Sequence, residues 1–453
     1  MVTQKIEKGY KHTELGAIPV DWSVKKIGDA LEIKGSSPIT YQQFEKMRDE
    51  RSDGTASFVM AVKVSDMNLP KNETYFHNSN LTKLVRMKDI EKKTIPKNAI
   101  IFPKRGAAIS TNKKRISSTM TILDPNLMSL VKKTDNIDMR YFYYWFQTFD
   151  LKNITSPGPT PQLNKKDVFP VLFPLPSDVR EQESIVRVLS DTDALIESLD
   201  TLIEKKKNIK QGAMQELLTG KKRLNGDLIV KKNRKVTDIG IIPEDWDVKT
   251  FDELFKFLPT GTNARSDLSE QGDVGYIHYG DIHAKWRLFL DCDTESIPFI
   301  SIKKIRNLPF VEEGDLVIAD ASEDYSGIGT SVELKNVRDK KIVCGLHTIF
   351  LRGKKNKIAD GYKAYLTSIP VVKNALISKA TGISVYGLSK NTIKNTRVPL
   401  PVDLKEQTSI AQVLSDMESE IEELEQKRDK YRELKVGMMH QLLTGRIRLK
   451  WKS

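Results

Sequence analysis

The sequence predicts an α+β protein: two mixed α/β domains joined by two long antiparallel coiled-coil helices, with pseudo-two-fold symmetry. Three observations carry that expectation. The chain repeats itself at domain length, each repeat ends in a long heptad-patterned stretch, and each mixed segment holds short β-like runs broken by turn residues.

The repeat comes first because it sets the boundaries. Pro174-Leu-Pro176 and Glu181-Gln182 return roughly 225 residues later as Pro399-Leu-Pro401 and Glu406-Gln407. Val188-Leu-Ser-Asp191 returns as Val413-Leu-Ser-Asp416, and Leu217-Leu-Thr-Gly220 as Leu442-Leu-Thr-Gly445. Near the starts, Gly16-Ala-Ile-Pro19 with Trp22 matches Gly240-Ile-Ile-Pro243 with Trp246. So long a period excludes a solenoid, whose units run about 20–50 residues. The expected order is a first mixed domain over 1–174, a first long helix and linker over 175–225, a second mixed domain over 226–398, and a second long helix with tail over 399–453. Between the shared ends the two mixed segments look almost unrelated. Tyr41-Gln-Gln-Phe44 and Phe102-Pro-Lys-Arg105 have no obvious counterparts in the second half. A scaffold holding two dissimilar readers has this pattern.

In the first mixed segment, Ser57–Val62, Ala99–Phe102 and Thr119–Leu123 read as strands. In the second, Tyr276–His278, Asp315–Ala319 and Thr348–Leu351 do the same. Helical patches cover Asp138 to Phe149 and Tyr362 to Ser368.

The long helices follow from spacing. Ile185, Leu189, Thr192, Ile196, Leu199 and Ile203 recur at alternating intervals of four and three, as do Ile410, Leu414, Met417, Ile421 and Leu424, followed by Tyr431, Met438 and Leu442. Prolines stand upstream, and Gly220 and Gly445 supply C-terminal stops. Lys206 and Lys210 interrupt the seam, but long lysine stems can cover apolar surface. Gly212 and Gly437 fall at equivalent places inside the helices, which close helix approach or a bend would each explain. A helix of about 38 residues is about 57 Å long and needs a partner for its stripe. Antiparallel pairing with the duplicate is simplest and sends the domains to opposite ends; parallel pairing and pairing between chains are the alternatives.

Composition bounds the function. At 453 residues the chain exceeds a single core, and 39% hydrophobic residues suffice to build more than one. The net charge of +13 favours a polyanion, nucleic acid before anionic membrane. Two cysteines, Cys292 and Cys344, exclude a disulfide framework and fit a reducing cytoplasm. The segment Met1 to Tyr10 is polar, and no apolar run of about 18 residues occurs, so a cytoplasmic protein without a membrane partner is expected.

Candidate contacts lie in loops at strand ends. Lys104-Arg105 and Lys113-Lys114-Arg115 gather five cations within twelve residues beside Asn112, suited to phosphates and to guanine O6 and N7. Lys34, Tyr41 and Lys63 complete the first set. The second contains Tyr279, Asp281, His283, Lys285, Ser322, Tyr325, Ser384, Tyr386 and Lys390. An ordinary solvated loop is the competing reading at each position.

No catalytic constellation is complete. Asn307-Leu-Pro-Phe310 resembles an amino-methyltransferase tetrapeptide, but Leu308 replaces a proline and no glycine-rich cofactor loop accompanies it. Asp320 with Glu333 and Lys335 mimics a nuclease set of common residues. Cys344, His347, His278 and His283 lack the paired spacing of a zinc site. No catalytic or metal-binding residue is expected.

Together the Gly-x-Ile-Pro-x-x-Trp starts, the Pro-Leu-Pro…Glu-Gln…Leu-Ser-Asp helices and the Leu-Leu-Thr-Gly ends resemble the specificity subunits of type I restriction–modification systems. Tyr276-Ile-His-Tyr-Gly-Asp281 and Gly387-Leu-Ser389 resemble that family's target-recognition domains. The resemblance implies a non-catalytic subunit that reads a bipartite, asymmetric double-stranded DNA site and carries two modification subunits and restriction subunits. The partners would use S-adenosylmethionine, ATP and Mg2+; this chain would bind no cofactor. A stand-alone methyltransferase or nuclease, and a coiled-coil adaptor without DNA affinity, are the rival classes.

Overall fold

The computed structural model describes residues 8–47, 56–86, 90–156, 158, 160–224, 233–305 and 307–449. Its α+β composition matches the expectation. The chain forms two compact units, one of Met1–Leu199 with Lys427–Ser453 and the other of Asp200–Gln426. The expected boundary at 225 falls outside the described residues. Each long helix divides its apolar face between two cores.

Those helices span Val179–Leu217 and Leu404–Leu442, 39 residues each. Asp178 and Asp403 stand just before them and accept hydrogen bonds at 2.9 Å from the backbone N–H groups of Arg180 and Lys405. Each carboxylate thus satisfies one of the donors that a helix start leaves unpaired.

Within each unit the helix halves pair antiparallel and within the chain. In the first unit Glu181 meets Arg448 while Asp193 meets Lys435. In the second, Lys206 meets Glu420 at 2.6 Å, Lys210 meets Glu418, and Arg223 meets Glu406. The seam lysines that break the heptad are therefore ion-paired across it. Ile185, Leu189, Leu199, Ile203, Ile410, Leu414 and Ile421 are buried along the seam. Gly212 and Gly437 face open space, since a Cβ on either would meet nothing within 4 Å. Close helix approach is not what they serve.

The end motifs are exchanged between repeats. Leu217 and Leu218 pack with Ile242 and Trp246 in one core, whereas Leu442 and Leu443 pack with Ile18 and Trp22 in the other. Each start motif is closed by the other repeat's end motif.

Both mixed domains fold to one topology despite their dissimilar sequences. The first unit has a five-stranded sheet in the order Leu31–Lys34, Leu127–Lys132, Ile100–Pro103, Arg115–Ser117, Tyr75–Phe76. The second has Phe255–Leu258, Thr348–Gly353, Leu316–Ala319, Ser331–Lys335, Leu288–Asp291. In each, only the last pair is parallel. A three-stranded sheet accompanies each: Met120–Leu123, Ala56–Val62, Leu81–Arg86 in the first, and Ile342–Cys344, Val274–Ile277, Phe299–Ile300 in the second. Both have one parallel and one antiparallel pair.

The expected helix near Asp138 is Met139–Thr148, started by the Asp138 side chain, and it buries Tyr141, Phe142, Tyr143, Tyr144, Trp145 and Phe146. Burying one such ring contributes roughly 2–3 kcal/mol. At Tyr362 to Ser368 the backbone is a tighter 3₁₀ turn, Lys363–Ser368, and an α-helix follows over Pro370–Lys379. No helix among the described residues is long and apolar enough to cross a membrane.

Candidate nucleic-acid interface

Three strand ends converge at one corner of each unit, and matching backbone hydrogen bonds register the two corners residue by residue. In the first unit the amide of Lys104 donates to Asn126 O at 2.8 Å, and its carbonyl accepts from Leu163 N at 2.9 Å. In the second, Asp320 N donates to His347 O at 3.1 Å and Asp320 O accepts from Leu388 N at 2.7 Å. Likewise Asp66 N donates to Lys63 O, and Asp281 N to His278 O. Lys104 thus corresponds to Asp320, Asn126 to His347, and Lys63 to His278.

The first corner is cationic. Lys104 and Arg105 follow the central strand Ile100–Pro103, and the approach of Gly35 to Lys104 joins the loop after Lys34 to them: a Cβ there would lie 3.8 Å from Lys104 Nζ. Burial and then Arg105 push the Lys104 ammonium below the usual lysine range; Lys165 adds to this and Asp124 opposes it. Like charges gathered this way are unfavourable until an anion arrives. Tyr41, the first residue of the short helix Tyr41–Glu45, lies under Lys63, whose Nζ is 3.6 Å from the ring centroid. Lys34 is paired with Glu32 at 3.4 Å.

The expected five-cation cluster does not hold together. Lys114 is fully buried and donates to Phe149 O at 2.6 Å and to Asn112 Oδ1 at 2.7 Å. Burial drives its pKa down to about 7. Asn112, at φ +53°, ends a 3₁₀ turn and also receives the Leu151 amide. Arg115 donates to the carbonyls of Lys114 and Met67, and Lys113 is tied to Asn68. Lys113, Lys114, Arg115 and Asn112 therefore shape the loop. Lys114 and Arg115 satisfy the carbonyls of Phe149, Met67 and Lys114.

The second corner is built of imidazoles, phenols and a carboxylate. His347 Nδ1 lies 3.1 Å from Asp320 Oδ1, and the Tyr279 ring stands edge-on to His347 with centroids 5.2 Å apart. His347 holds φ +56°, a left-handed conformation uncommon for a residue with a side chain. Burial and then Arg265 lower the His278 pKa, and burial raises that of Asp320. His283 Nε2 is 2.8 Å from Ala321 O, and Tyr325 packs on Tyr386 with centroids 4.2 Å apart. Tyr386 pairs with Ser322 in a two-stranded bridge. Tyr279, His283, Ser322, Tyr325 and Tyr386 thus lie together at this corner, although the buried Ser322 hydroxyl is occupied by Asp324 O at 2.7 Å.

Asp281 and Lys285 have a structural role. Asp281 is buried and receives Arg265 at 2.8 Å and Lys285 at 3.0 Å. Burial pushes its carboxyl up, but those two hydrogen bonds outweigh it and leave it below the usual range. Ser384 lies on the exposed loop before Tyr386, and Lys390 extends over the Phe257 ring at 5.7 Å.

Asp320, His347 and Asn126 were absent from the sequence-derived set. The repeat register marks only one strand end of the corner, because Leu163 and Leu388 keep the spacing of the proline motifs whereas Lys104 and Asp320 do not. The nuclease-like trio does not assemble. Glu333 is buried, accepts the Gly361 and Ala364 amides at 2.6 and 2.8 Å, and pairs in register with Leu316, four residues from Asp320 along the strand. No group of three His, Cys, Asp or Glu among the described residues could hold a metal ion.

The family described as "Type I restriction modification DNA specificity domain" matches residues 19–209 and 243–430. The chain belongs to that family. It is 26% identical over 455 residues to the type I restriction enzyme MjaVIII specificity subunit of Methanocaldococcus jannaschii, covering 98% of this chain and 97% of that one. The fold is shared with the S subunit of a type I restriction–modification system from M. genitalium, at TM-score 0.51 and 15% identity over 97% of this chain and 98% of that one. A chain solved in a study of assembly and conformational transition of the type I R-M system agrees at TM-score 0.52 and 13% identity, over 95% and 99%. The two matched segments are the two repeats, so each family domain carries one corner.

Proposed function

We propose that this chain is the DNA specificity subunit of a type I restriction–modification complex, each unit reading one half of a bipartite, asymmetric duplex site. One observation carries the reading: a single strand-end corner is built twice on one topology, with Lys63 and Lys104 in the first and His278 and Asp320 in the second. Equal scaffolds with unlike side chains suit recognition of two unlike half-sites. Chemistry belongs to the partners. Two modification subunits would supply methyl transfer from S-adenosylmethionine, and restriction subunits would supply ATP- and Mg2+-dependent cleavage, in the cytoplasm.

Exposed apolar surface on the helices supports a seat for such partners. Leu202 and Ile209 are exposed on the first long helix. In the first unit, a cleft of about 650 Å³ opens between Trp145, Met439 and Leu443. The two long helices would set the separation of the half-sites.

Co-expression with the cognate modification subunit, followed by mapping of methylated adenines, tests the reading. The expected motif has two different specific halves around a fixed gap. A symmetric or undivided motif, or methyl transfer by the chain alone, would overturn it.

A further inference from the structure

Asp320 stands where the first unit has Lys104, so the charge at one structural position is inverted between the units. Its backbone is clamped on both sides, N–H to His347 O and C=O from Leu388 N. Its Oδ1 is engaged by His347, while its Oδ2 has no hydrogen-bond partner among the described residues. The side chain keeps 29% of its surface exposed and that of His347 keeps 50%. A rigidly mounted carboxylate with an open oxygen is unsuited to a phosphate backbone, where like charge repels it. On a DNA-facing corner it fits a base that offers a hydrogen-bond donor.

Two bases present an amino group in the major groove. Adenine places the N7 acceptor beside its N6 donor, which opposes a carboxylate. Cytosine offers N4–H₂ without a neighbouring acceptor on the same base. We propose that Asp320, held by His347, reads a cytosine in the half-site of the second unit. This deepens the specificity-subunit reading and rests on it.

The experiment compares the full chain and its Asp320→Asn and Asp320→Glu variants, each co-expressed with the modification subunit, by mapping the methylated motif. Asp320→Asn, with its amide oxygen held by His347 and its amino group in place of the open oxygen, should lower discrimination for cytosine by about ten-fold at one position of one half-site and leave the other half-site unchanged. Asp320→Glu, which keeps both acceptor oxygens, should retain the cytosine. The unchanged half-site and an unaltered melting temperature report that the variant is folded. A motif that stays the same in Asp320→Asn, or that relaxes at an adenine or guanine instead, would overturn the assignment. If the unsubstituted chain directs no bipartite motif, the specificity reading itself fails, an outcome distinct from a loss confined to the variant.

Discussion

Arg448 closes on Glu181 from the far end of the chain, with Nε 2.7 Å from Oε1 and Nη2 2.8 Å from Oε2. Glu181 is 1% exposed and also accepts from Trp22 Nε1 at 3.1 Å. Arg448 reaches Asp21 as well, at 2.8 Å. Arg223 pairs with Glu406 and Asp245 in the second unit in the same way, but there the equivalent Trp246 Nε1 makes no hydrogen bond among the described residues. Arg448→Ala should cost the first unit about 2 kcal/mol, because it strands a buried carboxylate beside a guanidinium site that is only partly exposed. Chemical denaturation with a probe in each unit would check it; equal loss in both units would contradict the unit assignment.

Gly220 and Gly445 predict a matched pair of lesions. They hold φ +65° and +70°, and an added Cβ would lie 2.4 Å from Pro243 Cγ or 2.5 Å from Pro19 Cδ. Alanine at either position combines backbone strain with a clash against a rigid proline, costing about 2 kcal/mol. Calorimetry should find Gly445→Ala weakening the first unit and Gly220→Ala the second.

Lys114 carries a pH signature. With its ammonium pushed by burial to about 7, the unfolded chain holds a proton that the folded chain lacks between there and the usual lysine value of about 10.4. Stability from this group therefore rises as pH climbs through that window. Lys114→Met should flatten that rise in melting temperature between pH 7 and 10 and leave the salt dependence of DNA binding unchanged. A reduced salt slope would restore Lys114 to the interface.

Lys104 and Arg105 should behave oppositely. If both contact phosphates, Lys104→Ala with Arg105→Ala removes about two units from the slope of log K against log salt, at about 0.9 per contact. If they contact guanine, the slope changes less and the first half-site degenerates. A titration paired with motif mapping separates these outcomes, and an unchanged result in both would remove the pair from the interface.

Seven residues inserted at matched places in both long helices add about 10 Å of helix. The mapped gap should lengthen by about 3 bp, with both half-sites unchanged, at about 3.4 Å per step. An unaltered gap would mean that the helices do not set the spacing.

The sequence by itself determined the duplication, the α+β class, the two long helices and the family, because these are written in local periodicity and in motifs repeated at fixed spacing. It could not determine which end motif closes which start motif. Leu442 and Trp22 are distant in the chain, and either pairing satisfies the same pattern. Nor could it separate Lys104 from Lys114, ten residues apart in one basic loop: the first stays beside Arg105, the second is drawn inside to satisfy the Phe149 carbonyl. The likeness of the two mixed domains was also hidden, since a sheet needs only alternating apolar residues, which many sequences supply. Tertiary structure alone aligned Lys104 with Asp320, because that correspondence resides in backbone hydrogen bonds between strand ends far apart in sequence.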